Sequence, residues 1–296
     1  MPFSGVYAPI PTPFDDQGTL DLARLRAAVP RWMASPLSGL VVLGTNGEAG
    51  LITDDEAARV IAEARALMPA DRTLIAGTAR ESTAAAVAAA KQAGALGADA
   101  VLVRTPCFFK GQMTGAAFER HYTAVADASP VPVLLYNFTA ATGVNLLPDT
   151  VARLSTHPNI AGIKESGSDI GQLADLAALA SPNFSVLAGS ASTLFAALSV
   201  GVSGAILALS ALLPEACTTL VALVRAGKLD DARALQRRVL PLAKLISTGH
   251  GVPGLKAALA LTGIDAGFPR APLAPAPAAA VDQLRAELLA YEDHTA

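Results

Sequence analysis

Short runs of aliphatic and β-branched residues alternate with alanine-rich stretches of helical period, and the alternation recurs eight times. The strand candidates are Gly5 to Ile10, Gly39 to Leu43, Thr73 to Ala76, Ala100 to Arg104, Val131 to Tyr136, Ile160 to Lys164, Ser185 to Leu187 and Gly204 to Leu207. The helix candidates between and after them are Leu20 to Met33, Asp54 to Leu67, Thr83 to Leu96, Gly115 to Ala128, Pro148 to Leu154, Ile170 to Leu179, Ala191 to Leu198 and Leu213 to Arg225. Thr53 ahead of the second helix, with Glu56 three places on, makes a capping box. The strands read as continuous apolar runs, as parallel strands covered on both faces do. Eight strand–helix units predict an α/β fold closed into a TIM (β/α)8 barrel. Periodicity does not by itself show closure, so an open doubly wound sheet is the alternative.

Beyond Arg225 the pattern becomes helical, in "LDDARALQRRVLPLAKLI", "PGLKAALALTG" and "AAAVDQLRAELLAYE", with the proline-rich "FPRAPLAPAPAAA" predicted as an exposed linker. We therefore expect a barrel catalytic domain over residues 1–226 and a C-terminal helical extension over 227–296. Net charge is −3 with both signs scattered and no basic run, which argues against nucleic acid or an anionic membrane as partner. An acidic substrate must then be held by local groups. The stretch from Leu176 to Leu213 is uncharged, but Pro182, Gly189, Gly201 and Gly204 break it into pieces shorter than the roughly 18 apolar residues a span requires. Cys107 and Cys217 are the only cysteines, without a disulfide pattern, and the start "MPFSGVYAPI" lacks the features of a signal peptide. Together these predict a cytoplasmic protein.

The segment "NIAGIKESGSD" then stands out, because an apolar strand ends on a lysine. In a parallel barrel the working groups lie at the C-terminal ends of strands. Of six lysines only Lys164 ends a strand; Lys91, Lys228, Lys244 and Lys256 fall in or beside helices, and Lys110 in a loop. Burial disfavours the charged form of a lysine, and the free amine can attack a ketone to form an imine. The structural alternative is an ion pair with Glu165. Tyr136 ends the neighbouring strand in "VPVLLYN", where a phenol could relay protons or merely fill the core. After the second strand, "GTNGE" brackets Thr45 and Asn46 with glycines, a loop able to turn backbone N–H groups and two side chains toward an anion. Glu48 is expected to brace that loop by bonding its backbone.

These motifs, with "RTPCFFKG", "LLYNFTAATG", "GIKESGSD", "VLAGSAS", "GVPGLK" and "RAPL", resemble the dihydrodipicolinate synthase/N-acetylneuraminate lyase family along essentially the whole chain. The resemblance implies a pyruvate-handling lyase on a TIM barrel with a helical extension. It implies Lys164 as the Schiff-base lysine and Tyr136 as proton shuttle. Thr45 and Asn46 would bind the pyruvate carboxylate, and Ile206 would pack near the pyruvyl unit. No metal and no organic cofactor are implied; His121, His157, His250 and His294 show no ligand spacing, and His121 reads as a helix-face residue. The implied assembly is a homotetramer.

Departures from the family pattern bear on the substrate. Dihydrodipicolinate synthases usually carry an arginine where this chain has Ala141, and a relay tyrosine supplied by a neighbouring subunit where it has Phe108. Sialic acid lyases carry acidic residues where "AGSAS" is small and uncharged. The combination is most similar to 4-hydroxy-2-oxoglutarate aldolases, with Ser166, Gly189 and Ser190 lining the distal part of the substrate. The expectation is thus a class I aldolase cleaving 4-hydroxy-2-oxoglutarate to pyruvate and glyoxylate. The alternatives are a 2-keto-3-deoxy sugar-acid aldolase or dehydratase, a dihydrodipicolinate synthase, and a catalytically silent barrel that binds a keto acid.

Overall fold

The computed structural model describes residues 3–293; Met1 and Pro2, and His294 to Ala296, lie outside the described residues. Barrel strands and their helices follow in order as β1 (Gly5–Pro9), α1 (Leu22–Met33), β2 (Gly39–Val42), α2 (Asp54–Leu67), β3 (Thr73–Gly77), α3 (Thr83–Ala95), β4 (Ala100–Arg104) and α4 (Gly115–Ala128). The second half continues with β5 (Val133–Asn137), α5 (Thr139–Thr142), α6 (Pro148–Leu154), β6 (Ile160–Glu165), α7 (Ile170–Ala177), β7 (Ser185–Ala188), α8 (Leu194–Ser199), β8 (Gly204–Ile206), α9 (Ala208–Leu212) and α10 (Pro214–Arg225). Three longer helices complete the chain: α11 (Leu229–Lys244), α12 (Gly251–Leu261) and α13 (Ala278–Asp293). The strands form a closed, all-parallel barrel in sequence order, with β8 returning to β1.

Closure sorts side chains into two cores. Tyr7, Val41, Ile75, Leu102, Leu134, Leu187 and Ile206 fill the barrel interior, while alternate strand residues such as Val42, Val101, Val103 and Leu135 pack under the helices. The uncharged run resolves into β7, α8, β8 and α9 with the end of α7. Among the described residues no helix is long and apolar enough to cross a membrane.

Where boundaries differ from expectation, local chemistry explains it. β2 stops at Val42 because Leu43 turns to φ +57°, out of extended conformation. β5 starts at Val133 because Pro132 has no N–H to give the ladder. α1 starts at Leu22, after Asp21 caps it by accepting from the N–H groups of Ala23 and Arg24. The capping box of α2 forms as predicted. The stretch predicted as one helix from Ala191 begins with a 3-10 turn, and the short helices α5 and α9 had no periodic signal to mark them. The linker after α12 is largely exposed, but Arg270 within it is docked. Its guanidinium donates to Gly18 O, Leu51 O and the Glu56 carboxylate. His121 faces α3 from α4, buried, with Nδ1 2.9 Å from Thr83 Oγ1.

Candidate active site

β5 and β6 run side by side in register, Tyr136 opposite Lys164 and Asn137 opposite Glu165. Since successive strand residues point to opposite faces, the first pair enters the barrel and the second faces outward. Lys164 Nζ lies 4.2 Å from the centroid of the Tyr136 ring, and both residues are buried, at 5% and 4% exposure. No ion pair joins Lys164 to Glu165. That carboxylate sits on the far side of the sheet, where it accepts from Gly167 N–H at 2.6 Å, Asn137 Nδ2 at 2.8 Å and Gln172 Nε2 at 3.0 Å. Among the described residues Lys164 has no carboxylate partner, so the structural alternative of a Lys164–Glu165 pair is overturned by strand alternation.

The loop after β2 brings Thr45 Oγ1 to 3.2 Å from the Tyr136 hydroxyl. Asn46 donates its amide to Pro9 O at 3.2 Å, which ties the loop to the end of β1. Thr12 Oγ1 donates to Gly47 O at 2.8 Å. The backbone N–H groups of Thr45 and Asn46 carry no hydrogen bond among the described residues. Positive φ values at two non-glycine residues, Leu43 and Glu48, bracket the loop. Such conformations persist only where the surroundings enforce them.

Glu48 does not brace the loop through its backbone, contrary to expectation. The loop closes on itself, Glu48 N–H to Thr45 O and Ala49 N–H to Gly44 O. Instead the Glu48 carboxylate meets Lys256 Nζ of α12 at 2.6 Å and accepts from Arg270 N–H at 2.8 Å. Both side chains of the ion pair are almost fully buried, 2% and 0% exposed. Burial pushes the Lys256 amine below its usual range, against the pull of Glu48. Lys256 also donates to Thr12 O at 2.8 Å and Phe268 O at 2.6 Å. The helical extension thus reaches the loop that holds Thr45.

Across the mouth, Gly189 N–H donates to Glu165 O at 2.6 Å, and a Cβ placed on Gly189 would fall 2.0 Å from Ser166 Oγ. Ser166 and Gly189 therefore touch, and only glycine fits between. Ser190 precedes the 3-10 turn without capping it by a hydrogen bond. Ile206 is fully buried in the interior cluster that contains Tyr136 and Leu187. Ala141 is exposed in α5, and Phe108 is 76% exposed, packed edge-on against Phe109. Sequence reasoning missed Phe138, stacked on Tyr136 at 6.1 Å, and Arg104, which lies opposite Tyr136 in the β4–β5 register. Counting alternate residues along β4 from the apolar Leu102 would have found Arg104.

Three kinds of comparison agree on kinship. A model described as the dihydrodipicolinate synthetase family matches residues 2–291. A 4-hydroxy-tetrahydrodipicolinate synthase of Xanthomonas axonopodis pv. citri is 38% identical over 295 residues, covering 99% of this chain and 97% of that protein. One from an Exiguobacterium species is 37% identical over 283 residues, covering 95% and 96%. In the solved structure of Thermotoga maritima dihydrodipicolinate synthase the same fold recurs with a TM-score of 0.93 at 32% identity, covering 98% of this chain and 99% of that one.

Proposed function

The chain belongs to the dihydrodipicolinate synthetase family, and on that premise we propose that Lys164 forms an imine with pyruvate and that carbon–carbon chemistry runs through it. Enzymes of this family are pyruvate-dependent and of the class I aldolase type; they work through a lysine Schiff base and need neither metal nor organic cofactor. The observation that carries the assignment is the buried, ion-pair-free Lys164 beside Tyr136, at the C-terminal end of a barrel strand.

The chemistry follows from the groups present. The Lys164 amine attacks C2 of pyruvate, and the ketone oxygen leaves as water. Loss of a C3 proton gives an enamine, which adds to the carbonyl carbon of an aldehyde; hydrolysis then frees Lys164. Cleavage is the reverse. Tyr136, coupled to Thr45 through their hydroxyls, is suited to carry protons between these steps. The free N–H groups of Thr45 and Asn46 suit the pyruvate carboxylate, and Ile206 walls the pyruvyl carbons. Ser166, Gly189 and Ser190 border the space for the second reactant.

Two readings of that reactant have support. The named relatives favour condensation of pyruvate with aspartate semialdehyde, the synthase direction, and this reading comes first. One side chain favours the other, cleavage of 4-hydroxy-2-oxoglutarate to pyruvate and glyoxylate: Ala141 stands where the synthases usually carry an arginine, whereas Phe108, with no hydroxyl to relay a proton, departs from the pattern of both enzymes. Comparing kcat/KM for both reactions in one buffer decides between them. The proposed assembly is a homotetramer, in keeping with the exposed Phe108 and Phe109, and light scattering tests it. The proposed compartment is the cytoplasm, in keeping with the unpaired Cys107 and Cys217.

A further inference from the structure

We propose that Arg104 is the specificity-determining cation of this site, taking the carboxylate of the aldehyde partner. The inference rests on the Lys164 imine and deepens that reading. Along β4, Ala100 and Leu102 lie in the barrel interior while Val101 and Val103 pack outside. Alternation therefore starts the Arg104 side chain on the inner face, at the rim. Its Cα lies opposite that of Tyr136, which lies opposite that of Lys164. The three residues form one layer across adjacent strands.

The guanidinium is already fixed. Arg104 Nη1 donates to Thr105 O at 2.8 Å and to Cys107 Sγ at 3.0 Å, and Nη2 donates to Glu81 Oε1 at 3.1 Å. Guanidinium has five N–H donors, so Nε–H and one hydrogen on Nη2 remain for an incoming anion. The side chain is 26% exposed. Glu81 forms an ion pair with this guanidinium, and its carboxylate shares its charge with backbone N–H groups as well. The other Glu81 oxygen is taken up by the N–H groups of Cys107 and Phe108, at 2.8 and 2.9 Å. Glu81 thus holds the guanidinium still, which lowers the cost of ordering it when an anion arrives. A planar two-pronged donor suits a carboxylate better than the hydroxyls of Ser166 and Ser190 do. The site thereby has a cation although Ala141 provides none. Another cation near this rim is Lys110, exposed, with Nζ packed on Gly143 in the loop after β5.

The test uses the full chain and three aldehydes with pyruvate: glyoxylate and aspartate semialdehyde, which carry a carboxylate, and acetaldehyde, which does not. Borohydride trapping of pyruvate is measured beside them. The expected result for Arg104→Gln is a KM about 10- to 100-fold higher for the carboxylated aldehydes, a far smaller shift for acetaldehyde, and an adduct that still forms. Arg104→Lys should restore part of the loss, and Lys110→Gln should leave all three aldehydes alike to the unaltered chain. The proposal is overturned if Arg104→Gln slows every aldehyde and trapping equally, which marks a loop prop. No effect of Arg104→Gln also overturns it, as does a carboxylate-selective loss in Lys110→Gln. Absence of any adduct in the unaltered chain defeats the imine reading itself, a different failure.

Discussion

Lys164 and Tyr136 face each other across adjacent strands, Nζ 4.2 Å from the ring centre, with the phenol oxygen turned to Thr45. The ring and the hydroxyl can therefore be separated by mutation. Tyr136→Phe keeps the ring against Lys164 and removes only the group that can move a proton. The variant should fold normally and lose about 10²–10⁴ in kcat, the usual worth of general acid–base catalysis. Near-normal turnover in a folded Tyr136→Phe enzyme would assign the tyrosine to packing.

Lys164 itself is tested by mass. Pyruvate with borohydride should leave one reduced pyruvyl adduct, and peptide mapping should place it on Lys164. Lys164→Gln should carry none and be inactive. An adduct on Lys110 or Lys256 would move the nucleophile elsewhere. Turnover should survive a strong chelator, since the imine alone serves as electron sink.

The outward pair Asn137–Glu165 sits one residue beyond Tyr136 and Lys164 on the same two strands. Its 2.8 Å bond pins the register in which Tyr136 meets Lys164, and the Glu165 contact with Gly167 N–H shapes the turn that carries Ser166. Glu165→Ala leaves one N–H of the buried Asn137 amide without its partner, at a cost of about 1–3 kcal/mol. Denaturant unfolding should detect that loss, and kcat should fall in the folded fraction as well. Glu165→Gln keeps one acceptor and should fall between.

The barrel was legible because eight apolar strands alternate with helical periods, a pattern few folds accommodate. Lys164 and Tyr136 were legible because strand ends in such a barrel are functional ground. Arg104 ends a strand too, yet it was passed over, since its direction depends on which residues of β4 face inward. The partner of Glu48 was out of reach for another reason. Lys256 is more than 200 positions away, and no local pattern says that α12 will dock against a loop after β2. For the same reason a proline-rich stretch read as exposed conceals Arg270.

Arg270 predicts the acid behaviour. Its hydrogen bond to Glu56 is the largest cause holding that carboxyl down, from 4.5 to about 2. A carboxyl whose folded value is depressed adds stability above its unfolded value, and that stability is lost as pH falls through the folded value. The contribution should thus be whole above pH 4.5 and fade toward pH 2. Thermal unfolding across that window should be less steep in Glu56→Gln than in the unaltered protein. An unchanged acid limb would mean the pair is screened by solvent.

Glu48 and Lys256 offer the sharpest test of how the extension serves the barrel. The pair is buried, so each charge depends on the other for the solvation it has given up. Lys256→Met leaves the Glu48 carboxylate with only the Arg270 N–H, and should cost about 3–5 kcal/mol, the usual penalty for breaking a buried pair from one side. Adding Glu48→Gln removes the stranded charge while keeping an acceptor for Arg270. The double variant should therefore be more stable than Lys256→Met alone, and the cycle should give a coupling of about 1–3 kcal/mol. Function should follow the same order. Glu48 ends the turn that aims Thr45 and Asn46, so Lys256→Met should raise the KM for pyruvate, and the double variant should recover part of it. Additive losses in the denaturant cycle, with KM unmoved throughout, would mean that α12 docks on the barrel without setting the loop.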